Sequence, residues 1–255
     1  MGEKHTVLFF VLLSVVLVIC GCGRRDLTIE KIAYDKSKDN PLVYIKENDE
    51  YVPYLVLTSD YNGNTLLLRK YVLPELRAYK EHEAGWGSNE NGSYYEKSTI
   101  DDFLNSAFLD SLSEETRELV VDSTIEVTDM DRYHEWEYVT HEISRKVFLL
   151  SSVELGIKGF DGYITTREGT PLKYFKDKEY SVKVAYFQDG SPCPYWTRTP
   201  NLWATCLVVT ITTKGDGDST AERVSGVRPA FCISGQTAVK ESSEIVEGEM
   251  VYVIE

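Results

Sequence analysis

Two tight-turn signals constrain this chain most. Asn62-Gly63 lies between apolar runs at 51–57 and 65–72, and Asn-Gly readily holds the positive φ values of a type I′ hairpin turn. Asn48-Asp49 turns the chain in the same way between residues 42–45 and Tyr51. Together they predict a three-stranded meander over 42–72. Pro53 has no N–H to give a ladder, so its strand should be an edge or should begin at Pro53.

Beyond a polar Gly/Asn stretch at 79–97 holding Trp86, Ser98 with Asp101 three residues on has the arrangement of a capping box. Ile100, Phe103, Leu104, Ala107, Phe108 and Leu112 then follow at the spacing of one apolar helix face. Ser113 with Glu114 and Glu115 caps a second, short helix predicted over 116–121. Residues 124–127 alternate as a strand, 129–145 reads as a charged aromatic loop, and 147–150 reads as a buried strand leading to a cap at Ser151 or Ser152. Residues 157–192 carry only short apolar patches. β character returns at 207–212, turns at Gly215-Asp216-Gly217-Asp218, and resumes at Val224 and 227–233, with 250–254 as a possible closing strand.

The N-terminus carries an address. Residues 7–19 are apolar apart from Ser14 and end in Ile19-Cys20-Gly21-Cys22. A run this short does not cross a hydrocarbon core of about 30 Å as a helix, and it fits a secretory signal. An uncleaved anchor is the competing reading, and charge does not separate the two: Arg24-Arg25 follow the run, while Glu3 offsets Lys4 before it. The Met1-Gly2 start also fits the loose myristoylation pattern, which an export signal directly behind it makes a chance match. Ile19 and Gly21 stand where a lipobox asks for an aliphatic and a small residue, so Cys22 resembles the modified cysteine of bacterial lipoproteins. That resemblance implies cleavage after Gly21, a diacylglyceryl group on Cys22, and a protein held on the extracytoplasmic face of the cell membrane.

The mature chain of about 234 residues is long enough for a real core. The net charge of −14 argues against nucleic acid as a partner, because phosphate contacts need clustered Lys and Arg. Cys193, Cys206 and Cys232 allow one bridge at most, with Cys206–Cys232 the pairing to consider beside three buried thiols. The 17 tyrosines suit half-buried strand faces and binding surfaces alike.

Five segments resemble, in order, a family of bacterial extracytoplasmic proteins called domain of unknown function 6273. They are the meander ending in Leu66-Leu67-Leu68; Ser98-Thr99-Ile100-Asp101-Asp102-Phe103-Leu104-Asn105; Lys146-Val147-Phe148-Leu149-Leu150-Ser151 with Glu154; Tyr195-Trp196-Thr197-Arg198-Thr199-Pro200; and Ser225-Gly226-Val227-Arg228-Pro229-Ala230-Phe231. Similar Trp-Arg and Gly-φ-Arg-Pro endings occur in C-type-lectin-like folds, including formylglycine-generating enzymes. The resemblance implies an α+β fold: one C-type-lectin-like domain with an N-terminal meander, two helices and a β-rich C-terminal half. The division is then a signal peptide at 1–21, a tether at 22–40, the domain at 41–236, and an acidic C-terminal segment at 237–255 with a possible last strand. The 129–145 loop is longer than the family pattern requires.

No catalytic residue, metal ligand set or cofactor motif emerges. Three His-Glu dipeptides, at His82, His134 and His141, lack the HExxH spacing, and Lys214–Asp218 reads as a hairpin turn because Thr220 stands where a calcium loop needs an acid. Trp196, Arg198, Gly226, Arg228 and Pro229 form a motif that serves packing as readily as binding: an Arg can stack on a ring and fork into a carboxylate. Candidate ligand contacts are Tyr133, Trp136 and Tyr138 in the 129–145 loop, amphipathic anchors of the kind enriched at hot spots; the bland alternative folds Trp136 back onto the domain. The expectation is a non-catalytic, lipid-anchored surface protein that binds an extracellular glycan or protein, against two alternatives, an oxidoreductase of the formylglycine-generating kind or a structural envelope component. Replacing Cys22 with Ala is expected to release the protein from membranes or leave it uncleaved, while Cys20→Ala changes little. An unmodified N-terminus in the native protein, found by mass spectrometry, would remove the lipoprotein assignment.

Overall fold

The structure, a computed structural model describing residues 27–37, 42–81, 93–129, 139–157, 168–176, 178–201, 204 and 206–254, sets the meander inside a larger sheet. Strands β1 (Leu42–Glu47), β2 (Glu50–Tyr61) and β3 (Asn64–Arg69) pair antiparallel. Both turns have the expected backbone: φ is 45° and 67° at Asn48 and Asp49, and 53° and 83° at Asn62 and Gly63. Pro53 lies within β2, opposite Tyr44. The β2–β3 ladder starts one residue later at Tyr54↔Arg69, so the missing N–H falls where β2 has a full ladder on one side only.

The remaining strands are β4 (Arg77–Ala78), β5 (Val120–Val121), β6 (Ser123–Thr128), β7 (Thr140–Arg145), β8 (Val147–Phe148), β9 (Ala185–Tyr186), β10 (Pro192–Cys193), β11 (Tyr195–Pro200), β12 (Leu207–Ile211), β13 (Asp216–Thr220), β14 (Val224–Ser225), β15 (Ala230–Ile233), β16 (Val239–Val246) and β17 (Glu249–Ile254). The main sheet runs β16-β17-β1-β2-β3-β15-β5, with β8 also pairing β15. All of its pairs are antiparallel except β1–β17. Smaller sheets join β11-β12-β13, β6-β7, β9-β10 and β4-β14. Strands dominate over a few short helices, an α+β composition.

Ser98 caps its helix as expected, its Oγ accepting the Asp101 N–H at 3.2 Å. The apolar face differs in detail: Ile100, Leu104 and Phe108 are buried, four residues apart, while Ala107 is exposed. In an unbroken α-helix eight residues would carry Phe108 about 80° away from Ile100. A π turn over Leu104–Phe108 takes up that drift and keeps the three on one side. Ser113 Oγ accepts the Thr116 N–H at 3.2 Å, so the second helix starts at once and covers Glu114–Leu119. It ends before Val120 because β5 there pairs with Ile233.

Three expectations need correction. First, residues 27–37 are no tether. Ile29–Ile32 and Tyr34–Ser37 are helical, and Ile29, Ile32 and Ala33 are buried in the core. Thr28 bridges Ala238, and the Val239 N–H donates to the Leu27 carbonyl at 2.8 Å, so this segment is clamped to the root of β16. Its four apolar residues were masked by the charges between them. Second, the C-terminal segment holds more than its expected last strand: 250–254 does close onto the sheet, as β17 beside β1, but Val239–Val246 adds β16 outside it, joined by an unforeseen turn at Glu247-Gly248, φ 52° and 84°. Third, the 129–145 loop is shorter than expected. Residues 140–145 form β7, paired along its length with β6; with Ile143 as its single apolar residue, β7 carries no alternation that the sequence alone would show.

Candidate functional site

The Trp-x-Arg-Thr-Pro motif is β11, and every residue of that strand is buried. Arg198 is sealed from solvent. Its Nη1 and Nη2 fork onto Glu154 at 2.6 and 2.9 Å, its Nε donates to the Glu126 carbonyl at 3.0 Å, and Nη1 also reaches the Leu149 carbonyl at 2.9 Å. A buried bidentate pair of this kind is tolerable only when the remaining hydrogen-bond capacity is filled. Glu154 is filled: Tyr61 donates its hydroxyl at 2.6 Å and Ser151 its N–H at 2.9 Å. Ser151 Oγ accepts the Glu154 N–H in return at 3.0 Å, the reciprocal bonding of a capping box closed on a single turn. Burial alone would strip the Arg198 charge, but the Glu154 carboxylate holds its pKa above the ordinary value.

A second acid stands beside this pair. Glu168 is buried and accepts the Thr128 N–H and hydroxyl at 2.9 and 2.8 Å and the Thr199 hydroxyl at 2.5 Å. Despite three donors and the nearby Arg198, desolvation pushes its pKa above the usual carboxylate range. Gly169 follows with φ of 84°, and a Cβ there would sit 2.9 Å from Glu154 Oε1. Only glycine fits.

Trp196 meets Tyr79 edge-on at 5.5 Å and donates its Nε1–H to the Arg77 carbonyl at 2.8 Å. Of the two motif arginines it is Arg228 whose guanidinium lies over a ring, 5.6 Å from the Tyr195 centroid. Arg228 Nε donates to the Arg69 carbonyl at 2.8 Å, and its buried Nη1 has no hydrogen-bond partner. Gly226 has no room for a side chain: a Cβ would lie 2.9 Å from Cys193 Sγ, the Pro194 carbonyl and Val72. The Pro229 carbonyl accepts the Arg69 N–H at 2.9 Å. Asn105 ends the helical motif as a splint: its Oδ1 accepts the Lys146 and Val147 N–H groups and its Nδ2 donates to the Val147 carbonyl, at 2.9–3.1 Å. So the structure buries Trp196, Arg198, Gly226, Arg228 and Pro229 and joins the two segments where the Trp196 N–H donates to the Gly226 carbonyl at 3.0 Å, while Arg198 and Arg228 serve separate networks.

Tyr133, Trp136 and Tyr138 lie outside the described residues, as do Cys22, His82 and His134. The stretch holding the three aromatics connects β6 to β7, whose near ends are closed by the Asp129 N–H donating to the Val139 carbonyl at 2.9 Å. His141 is on β7 and faces Glu96 at 3.1 Å. No group of His, Cys, Asp and Glu among the described residues has the geometry of a metal site. Cys193, Cys206 and Cys232 are unpaired; burial raises the Cys193 thiol pKa and pushes that of Cys232 up to about 12, the reverse of an activated nucleophile. No helix among the described residues is long and apolar enough to cross a membrane.

A family profile described as domain of unknown function (DUF6273) matches residues 62–235, well over half of the chain. The chain belongs to the DUF6273 family. No curated protein and no solved structure matches it. The DUF6273 span contains Arg198, Glu154, Glu168 and Asn105, and leaves out β1, β2, β16 and β17.

A further buried ion pair escaped the sequence reading. Arg69 Nε lies 3.0 Å from Glu47 Oε1, to which Tyr54 also donates, and its Nη1 donates to the carbonyls of Tyr71 and Val72. The only signal was an Arg closing the apolar run of β3.

Arg198→Ala should strand Glu154 and destabilise the fold by about 3–5 kcal/mol, read from urea unfolding. Glu168 binds its proton more tightly folded than unfolded. Its contribution is therefore complete below its ordinary 4.5 and is lost as pH rises through the higher native value. Glu168→Gln should flatten the fall in melting temperature with pH across that window; an unchanged slope would mean that Glu168 does not titrate there.

Proposed function

We propose that this DUF6273 protein is a lipid-anchored extracytoplasmic binding protein without catalytic activity, held on the bacterial cell membrane through Cys22 and recognising a glycan or a protein. The observation that carries this reading is the closure of the motif: Arg198 and Glu154, its most chemically capable groups, have 0 % and 1 % of their side chains exposed. Groups that meet no solvent meet no substrate, and their bonds are spent on carbonyls and on each other. This favours a rigid frame whose surface loops carry recognition. The anchor is supported by Ile19-Cys20-Gly21-Cys22, and a C-type-lectin-like fold by the paired Trp196-Thr197-Arg198 and Gly226-Val227-Arg228-Pro229 endings.

The crown of the β6–β7 hairpin, with Tyr133, Trp136 and Tyr138, is the candidate contact surface. Asp129, Asp131, Glu135 and Glu137 around it would favour a neutral or cationic ligand and repel an anionic one. The test is to display the full-length protein in detergent on glycan and peptide arrays, with the products analysed for turnover. Capture without turnover is expected; turnover of any captured compound would overturn the reading. Exchange of 130–138 for Asn-Gly should leave the melting temperature unchanged and weaken at least one class of captured ligand tenfold or more. Lost stability with all binding intact would make the crown structural.

A further inference from the structure

A shallow groove opens at the β16 side of the main sheet, away from the buried motif. It has a volume of about 300 Å³ and is lined by Tyr44, Tyr51, Lys240, Ser242, Glu244 and Val253, with Ile254 at its end. Lys240, Val253 and Tyr44 stand in one cross-strand row over β16, β17 and β1, and directly registered residues share a sheet face. Tyr51 joins them from β2, where it is 64 % exposed. Its ring lies 5.8 Å from that of Tyr44, tilted by 54°.

The polar side of the groove comes from an irregularity in β16. Between the pairs Glu241↔Tyr252 and Ile245↔Met250, residues 242–244 of β16 face Val251 alone. Such a bulge re-aims side chains and breaks the ladder. Here it points Glu244 at the Tyr44 hydroxyl, which donates to Oε2 at 2.9 Å, while the Glu244 N–H folds back onto Ser242 Oγ at 3.1 Å. The rim thus presents an acceptor-only carboxylate, a hydroxyl and an ammonium above two phenol rings and an aliphatic floor.

We infer that this groove is a subsite for a neutral sugar ring. A pyranose has one face of C–H groups, which packs on an aromatic ring, and an edge of hydroxyls, each both donor and acceptor; the groove offers a counterpart to both. One acid and one base line it, so it selects no net charge, and a chain carrying −14 repels anionic polymers. Its volume is at the small end for ligand sites, about 300–1,000 Å³, which suits a single ring better than a folded partner. Strand addition by a peptide is disfavoured because the bulge interrupts the open edge of β16 and the acids Glu241 and Glu244 flank it. All seven lining residues fall outside the span 62–235 shared with the family, so the subsite belongs to this chain's own flanking strands.

The inference rests on the binding-protein reading but not on the 130–138 crown. The full-length protein in detergent is titrated with neutral gluco-, manno-, galacto- and N-acetylglucosamine oligosaccharides, beside an anionic uronic acid oligomer and an extended peptide. Saturable binding of a neutral oligosaccharide is expected, tenfold or more weaker in Tyr51→Ala and retained in Tyr51→Trp. Glu244→Gln should weaken it severalfold. The exposure of Tyr51 means that its Ala variant should melt with the native protein, so the loss reads binding and not folding. Sugar binding that survives Tyr51→Ala, or that is lost only on exchanging the crown, would overturn the groove and leave the binding reading standing. Preference for the uronic acid or the peptide would overturn the ligand class, and no saturable binding of any neutral sugar would overturn the subsite altogether.

Discussion

The fork between Arg198 and Glu154 is the constraint around which the interior is arranged. A guanidinium sealed from water needs its counter-charge and several carbonyls at once, and here they come from three places: the turn after β8, strand β6, and the extended chain at Leu149. Meeting that demand fixes β11 against β6 and draws Tyr61, from the far end of β2, into the same cluster. The neighbouring Glu168 adds Thr128 and Thr199 to the network. An apolar residue at 198 could fill the volume, but it would not specify which strand ends meet.

This explains why the family signature reads so poorly as chemistry. Trp-x-Arg-Thr-Pro and Gly-Val-Arg-Pro look like a site because Arg beside aromatic residues is common in binding clefts, whereas both arginines here are interior and serve the backbone. The span shared with the family therefore defines a frame. The strands that flank the shared span on both sides, β1, β2, β16 and β17, lie outside that frame.

The elements that were legible in the sequence are those decided within a few residues. Asn62-Gly63, Ser98 and Ser113 each state their own geometry, and each forms its turn or cap, although Asp101 gives its carboxylate to Arg145 and not back to Ser98, and the second helix covers Glu114–Leu119 in place of 116–121. Contacts across long separations were not legible. Glu154 lies 44 residues from Arg198, and nothing local ties it to that partner among so many acids. The segment at 27–37 failed for a related reason: Leu27, Ile29, Ile32 and Ala33 are too few to show a period, and their burial depends on a strand more than 200 residues away. Strand β7, with Ile143 as its single apolar residue, is held by its ladder to β6 and not by a pattern.

The parallel pairing of β1 with β17, Leu42 against Val251, has a kinetic consequence. The first strand of the meander finds its outer neighbour only once residues about 200 positions later are in place, and the Thr28–Ala238 bridge beside it spans a similar separation. Such distant contacts must overcome loop-closure entropy before they return any stabilisation, and chains dominated by them fold on the slow side, in milliseconds to seconds. Until then the β1 edge stays open to pairing with other chains. The risk of misassembly is therefore greatest in the interval before β1 and β17 meet.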